Sequence, residues 1–529
     1  MKKIYGFAAL AALALTSCSN ENEPNVPVAG AGEPGYLAVT IVNPATTRAI
    51  SGYELGTAAE NKADKATFIL FKDNNVQKVL ENQNLNPWEG IKDYDKTVEN
   101  ISTTVLLIEN AGKDEAKPTS VMAVLNATTD MALASCKTLA DVQAKIADYS
   151  AHNEGSFIMT NSVYNNGTAN VYTTDVKDNI AKTPELAKAN PADIYVERVV
   201  AKVKTSAATG EGFTHEATKV TIGGVEYDVT INVDGIEVAN VAKKSYLVKN
   251  LEGITNPFTG WNDATNFRSY WAKGAALTSP ALTSNTTYSG DFDNQSWTAI
   301  DATEATGAQT FYIQENTGNE TNTSVLVTAH LTYNGGKNLD MVRLLADGNY
   351  YLKDDARKAL AEMFKGSGFR ASSKEGTNTI YDTFEPADFE WAGEYTDKGW
   401  ISYLKLTATA EAKNLVKYDA AQNKYVETTA DDINNTLKGK AYQVWKWTDG
   451  KCYYFVEIEH DTNLKGIVRN HIYDLNLQSI KGLGVPVFNP DRVIIPEIPT
   501  WDESTDWSLA ARINVHKWAV VKQNIKFEN

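Results

Sequence analysis

Cysteine is nearly missing from this chain: there are three in 529 residues, at Cys18, Cys136 and Cys452. A disulfide framework is thereby excluded as the source of stability, and the two later thiols, far apart in sequence, read as isolated core residues. Positive charge is also short, 50 Lys and Arg against 66 Asp and Glu, for a formal net charge of −16. That balance disfavours nucleic acid and anionic membrane surfaces as partners, because both are bound by cationic side chains that displace counterions. Past the N-terminus no stretch reaches the roughly eighteen uninterrupted apolar residues of a membrane helix.

Catalytic patterns are missing as well. His152, His215, His330, His460, His471 and His516 are scattered without the H-E-x-x-H spacing of a zinc site. No nucleophile elbow, Walker loop or dinucleotide fingerprint occurs, and no enzyme activity, metal or cofactor is expected. Asp291, Asp293 and Gln295 begin like a calcium loop, but Ser296 stands where glycine is needed and Ala302 where the last glutamate belongs. The segment reads as an Asx-rich turn. Glu457, Glu459 and Asp461 alternate along a strand, as carboxylates of a sugar-cleaving cleft would. With Tyr454, Val456 and Ile458 on the opposite face, the acidic side reads as a solvated surface.

The N-terminus carries the first positive signal. Lys2 and Lys3 precede an apolar run over 4–15, too short for a permanent span, and Leu15-Thr16-Ser17 leads into Cys18. Residues 1–18 are read as a lipoprotein signal peptide with Cys18 the lipidated residue. An acidic stretch, Ser19-Asn20-Glu21-Asn22-Glu23, and a Pro/Gly/Ala-rich tether follow, and this tether resembles the surface-export signals of Bacteroidetes lipoproteins. The lipid would be the precursor's attachment to the outer membrane.

Alternating apolar and polar residues, rich in Thr, Val and Tyr and broken by Asn, Asp and Gly, predict an all-β fold of antiparallel sandwiches. Strands are expected over 36–42, 66–71, 103–108, 120–125, 195–205, 244–248, 324–331, 403–408, 452–458 and 472–477. Helices are few. One is expected over 139–149, with Leu139, Val142, Ile146 and Tyr149 on one face and Thr138 to Asp141 as a capping box. Another is expected over 355–364, with Leu360, Met363 and Phe364 together. Gly210 and Gly212 break the pattern after the 195–205 strand and place a boundary near 207.

The two ends depart from the ordinary pattern. The first strand is followed by a Pro/Thr/Asn-rich link containing Arg48, the first arginine of the chain, in an extended segment suited to a protease cleft. Cleavage between Arg48 and Ala49 would remove lipid, tether and first strand together. Loss of a strand exposes unpaired backbone and core side chains that a second strand can cover. The last twenty residues offer one: Ile513 and Val515 alternate, Trp518 and Val520 change phase, and Ile525 and Phe527 return to it. The phase change at Lys517-Trp518 implies a bend joining two inserting segments. Five or six such side chains, at about 1.5–3 kcal/mol each, amount to roughly 8–18 kcal/mol before ordering costs. An ordinary terminal strand of its own domain fits the pattern equally well.

Cys18, Arg48-Ala49, Val196-Glu197-Arg198-Val199-Val200-Ala201, Arg469-Asn470-His471-Ile472-Tyr473-Asp474-Leu475-Asn476-Leu477 and the end from Ile513 to Phe527 carry a resemblance. Through them the chain resembles the Bacteroidales fimbrilins, or type V pilins, and among these the major subunits of Mfa-type short fimbriae. Residues 250–400 match least. The resemblance implies two transthyretin-like β-sandwich domains, 49–207 and 208–508, a propeptide over 19–48 removed by a trypsin-like protease, and a donor strand over 509–529. It implies a structural pilin, polymerised by donor-strand exchange with copies of itself and accessory tip and anchor subunits, at the cell surface in adhesion and biofilm formation. Lys517 stands where proline is expected, and the link from Pro486 to Trp501 is short. A fimbrial anchor or tip subunit is the near alternative. A surface glycan-binding lipoprotein using Trp261, Trp271 and Trp297 is the distant one.

Overall fold

The computed structural model describes residues 35–43, 54–87, 89–90, 100–111, 113–149, 156–207, 214–215, 218–254, 262–263, 267–279, 281–282, 288–293, 295–296, 309–396, 399–461, 464–488, 493–494, 508–515 and 521–522. Among them no helix is long and apolar enough to cross a membrane. The fold is all-β with few short helices, as the alternation implied.

The first sheet runs Asn75–Asn84, Lys65–Lys72, Ser120–Leu125, Met159–Asn161, Ala192–Arg198, Gly35–Asn43, Asn100–Ile108 and Glu89–Gly90 along its main path. Leu37, Phe68, Leu106, Val121, Ile194 and Val196, drawn from across this order, share one core, so the sheet folds over on itself as a sandwich. Lys65–Lys72 is buried on both faces, because Ile69 and Phe71 point away from that core into a second one with Leu139, Val142 and Leu247. That second core explains the helix at Leu139–Gln143. Its capping box is present, Thr138 accepting from the Asp141 N–H and Asp141 from the Thr138 N–H.

The helix ends well before 149, however. Ile146–Ala147 leaves it to pair with Ser245–Tyr246 and Ile146 is 42% exposed, so tertiary pairing overrides the helical spacing. That pair is also all that forms a strand within the expected 244–248.

A six-stranded sheet contains Gln309–Gln314, Val200–Ala207, Ile472–Lys481, Ser508–Val515 and Val521–Lys522, and faces an eleven-stranded sheet that includes Val225–Ala239, Ser324–Tyr333 and Lys451–Glu457. Between them lie Val203, Tyr473 and Leu475 from one side and Ile231, Val327, Trp447 and Tyr454 from the other. Val225–Ala239 is kept in register by a bulge between Val233 and Gly235, which turns the intervening Asp234 toward His330, 2.6 Å away. A lobe of helix Lys353–Lys365, helix Ala430–Leu437 and the sheet around Phe369–Glu375 packs on Phe364, Phe369, Phe384 and Phe389. Leu360 and Phe364 are buried there as expected, whereas Met363 is 40% exposed.

The strand expected over 195–205 is two strands. Ala192–Arg198 belongs to the first sheet and Val200–Ala207 to the six-stranded one, and the chain changes sheet at Val199, ahead of the glycines near 210. Val196 through Ala201 are all buried, so the alternation that would signal one half-buried strand is lost there. The strand expected over 403–408 is Gly399–Leu406, and Ala408 instead opens a short helix capped by Thr407.

Candidate functional site

The first strand, Gly35–Asn43, lies inside its sheet. It pairs antiparallel along its length with Asn100–Ile108, from Gly35 opposite Ile108 to Asn43 opposite Asn100. On the other side Val39 to Val42 run parallel to Ala192–Tyr195, while Tyr36 and Leu37 meet Ala181 and Ile180. Leu37, Ala38 and Val39 are each 0% exposed. Leu37 and Val39 enter the sandwich core, and Ala38 packs on the opposite face against Ala181 and Ala187. Ala187 belongs to helix Pro184–Ala189, begun by Thr183 accepting from the Leu186 N–H and by proline in its first turn. At Gly35 an added Cβ would come within 2.6 Å of Ala111 Cβ and 2.8 Å of Ile180 Cγ2. Removal of this strand therefore opens a slot with hydrogen-bonding backbone on both sides and an apolar floor.

At the other end, Ser508–Val515 lies antiparallel to Ile472–Lys481, with Ile513 opposite Leu475, Asn514 opposite Asp474, and a bulge between Leu477 and Ser479. Asn514 and Val515 also face Lys522 and Val521. The backbone of Ile513 thus sits on the chain's own second sheet, and that of Val515 is paired with Val521. Trp518, Val520, Ile525 and Phe527 lie outside the described residues, as do Cys18, Arg48, Ala49 and the bend expected at Lys517-Trp518.

Between the two sandwiches is a buried ionic seam that sequence reasoning found only as motifs without a role. Arg198 donates through Nε to the Glu60 carbonyl at 3.1 Å and through Nη1 to Asn470 Oδ1 at 3.3 Å, and also bonds Asn61. Lys202 Nζ is 2.7 Å from Glu60 Oε1, which also accepts from the Tyr312 hydroxyl. Burial pushes Glu60 up, but the Lys202 ammonium, the Tyr312 hydroxyl and the Thr57 N–H prevail and hold it below the ordinary carboxylate value. Lys249 donates to Glu197 Oε2 and to the Ser269 carbonyl, each at 2.8 Å, with both charged side chains 1% exposed. Arg469 meets Glu315 at 3.2 Å, both 0% exposed, and donates to the Leu247 carbonyl at 2.8 Å. Asn470 N–H to the Val200 carbonyl (2.8 Å) and Lys202 N–H to the His471 carbonyl (2.9 Å) complete the join.

His460 and His471 lie in the same seam, His460 2.8 Å from the Tyr473 hydroxyl. Burial pulls His460 down to about 3 and holds His471 well below the usual imidazole value. They are neutral packing groups. Among the described residues no His, Cys, Asp or Glu group could hold a metal ion. Glu457 is tied to Lys465 and to Asn322, and Asp291 to Lys244 at 2.8 Å. Cys136 and Cys452 are free and buried. Trp271 is half-buried with its ring 5.5 Å from that of His460, and Trp261 and Trp297 lie outside the described residues.

An all-β protein with its first strand inside one sheet and a C-terminal strand on another is the class these features define. Residues 445–524, which include the buried Arg469-Asn470-His471 segment and Ser508–Val515, match the family described as "Major fimbrial subunit protein type IV, Fimbrillin, C-terminal". The match is confined to that C-terminal region. No curated protein matches the chain. Among solved structures, a candidate cell adhesion protein of Parabacteroides distasonis aligns with 94% of this chain and 100% of its own at 12% identity and a TM-score of 0.36. A fimbrial assembly protein of the same species covers 74% and 98% at 11% identity and a TM-score of 0.27. The tip fimbrial protein Mfa3 of Porphyromonas gingivalis, truncated at its C-terminus, covers 90% and 99% at 11% identity and a TM-score of 0.29.

Proposed function

We propose that this chain is a fimbrillin, a structural pilin of the fimbrial shaft. It is exported as a lipoprotein precursor carrying its lipid on Cys18, is cleaved between Arg48 and Ala49 by a protease of trypsin-like specificity, and polymerises by donor-strand exchange. The donor is the tail of another copy, residues 509–529, with Ile513, Val515, Trp518, Val520, Ile525 and Phe527 as its apolar side chains. Accessory tip and anchor subunits are the other partners, and the assembled fimbria supports adhesion and biofilm formation. The observation that carries this reading is the position of Gly35–Asn43. It is paired on both edges, and its Leu37, Ala38 and Val39 are buried on both faces, so cutting it away leaves a slot that only another strand can close. Trypsin-treated precursor is expected to form filaments, and an Arg48→Ala protein treated identically to stay monomeric. Deletion of residues 509–529 is expected to abolish filaments; filaments formed without the tail would sink the donor assignment.

The pairing of Ser508–Val515 with the chain's own sheet favours a second reading, a tip subunit that accepts a strand without donating one. Filaments built from this chain alone after cleavage would dismiss it. An anchor subunit would be recovered from cells with its N-terminal segment and lipid intact, which mass spectrometry detects.

A further inference from the structure

The slot filled by the first strand is not equally roomy on its two faces. Leu37 and Val39 occupy a large apolar core. Ala38, between them, is pressed against Ala181 and Ala187 beneath helix Pro184–Ala189, with Tyr36, Val105 and Leu186 at the margin. The three alanines are 0 to 2% exposed, so nothing larger than a methyl group fits that side. A replacement strand must therefore present a large, a small and a large residue in succession. This requirement is the same whichever way the strand runs.

The tail satisfies that order at one place. Ile513-Asn514-Val515 would force an amide into the alanine pocket, and Val520-Val521-Lys522 would force a branched side chain there and a charge into the core. Leu509-Ala510-Ala511 fits the pocket but puts alanine where Val39 is completely buried, and its backbone is held by Ile472–Lys481. Trp518-Ala519-Val520 offers the pattern, since an extended strand would put the two apolar side chains on one face and the methyl on the other.

Resting on the assembly reading above, we infer that Ala519 sets the register of the exchanged strand. It enters the pocket left by Ala38 on a neighbouring copy, between Ala181 and Ala187, with Trp518 and Val520 in the places of the flanking Leu37 and Val39. No glycine of the tail falls opposite Gly35 in either direction, so the incoming strand leaves the first strand's path before Ala111 and Ile180.

The experiment mixes two full-length proteins, an acceptor with Ala187→Cys and a donor with Ala519→Cys, cleaves them at Arg48 and oxidises them. A disulfide-linked acceptor–donor pair is expected within the filaments and none in uncut precursor, where Ala38 fills the pocket. Donors with Ala510→Cys or Asn514→Cys are expected not to cross-link. Filaments that cross-link at either of those positions, or at none, would overturn the register while leaving donor-strand assembly standing. Absence of filaments would overturn both. A second measurement is the polymerisation rate: Ala519→Leu should slow it by at least about tenfold, because the pocket cannot take the added carbons, and Ala519→Gly should leave it within a few fold. An unchanged rate for Ala519→Leu would also overturn the register.

Discussion

Arg198, at the end of the strand that flanks the first strand, donates through Nη1 to Oδ1 of Asn470 at 3.3 Å, and both residues are buried. Their separation in sequence spans most of the second sandwich, and the bond joins the first sheet to the loop that leads into Ile472–Lys481.

Arg198→Ala should therefore act on both sandwiches. It removes a buried cation whose partners, the Glu60 carbonyl, Asn61 and Asn470, lose their donor. Leaving buried acceptors unpaired costs about 1–3 kcal/mol for each. Chemical denaturation should show that loss, and the two sandwiches should then unfold in separate transitions. A single transition at the original midpoint would show that the seam contributes nothing.

The Lys249 and Glu197 pair permits a sharper distinction between stability and specificity. Lys249→Met alone leaves the Glu197 carboxylate buried and unpaired, and should cost about 3–5 kcal/mol. The double variant Lys249→Met, Glu197→Leu removes both charges and should recover most of it, since the pair's desolvation is no longer required. Thermal unfolding of the two single variants and the double variant measures the coupling.

Acid should weaken the protein before ordinary carboxylates titrate. Folding holds His460 neutral and lowers its pKa from 6.5 to about 3. The unfolded chain thus takes up a proton that the folded chain refuses, so this stability is complete above pH 6.5 and falls as pH drops toward about 3. At pH 5 the loss is about 2 kcal/mol for His460, and His471 adds in the same direction. Below the carboxylate range Glu60, whose folded value is depressed, loses its contribution as well. Denaturation midpoints measured from pH 7 to pH 5 should fall, and should fall less for His460→Gln.

Gly450 closes the turn before Lys451–Glu457 with φ +75°, and an added Cβ would lie 2.3 Å from the Leu331 carbonyl oxygen. Both the backbone conformation and the contact with main chain oppose any side chain. Gly450→Ala should lower stability by about 2–3 kcal/mol, read as a shift of the denaturation midpoint. A neutral result would show that Ser324–Tyr333 moves aside.

Several elements were legible locally. Ser120–Leu125 occupies the residues expected, and Gly35–Asn43, Lys65–Lys72 and Ile472–Lys481 differ from expectation at their ends. The Thr138 capping box needed only four residues to be recognised. The seam was not legible, because Glu60, Arg198, Tyr312 and Asn470 come from distant parts of the chain and carry no spacing. Glu197 and Arg198 look like the polar members of a strand until their partners bury them.

By itself the sequence determined the all-β class, the clean alternation of the first strand and the large-small-large order in the tail, since side-chain alternation is a property of neighbouring residues. Only the tertiary structure decided that the chain changes sheet at Val199, that Ser508–Val515 rests on its own sandwich, and that Ala38 sits in a pocket limited to a methyl group. Strand pairing and the solvation of charge depend on which remote segments meet, and no local pattern encodes that meeting.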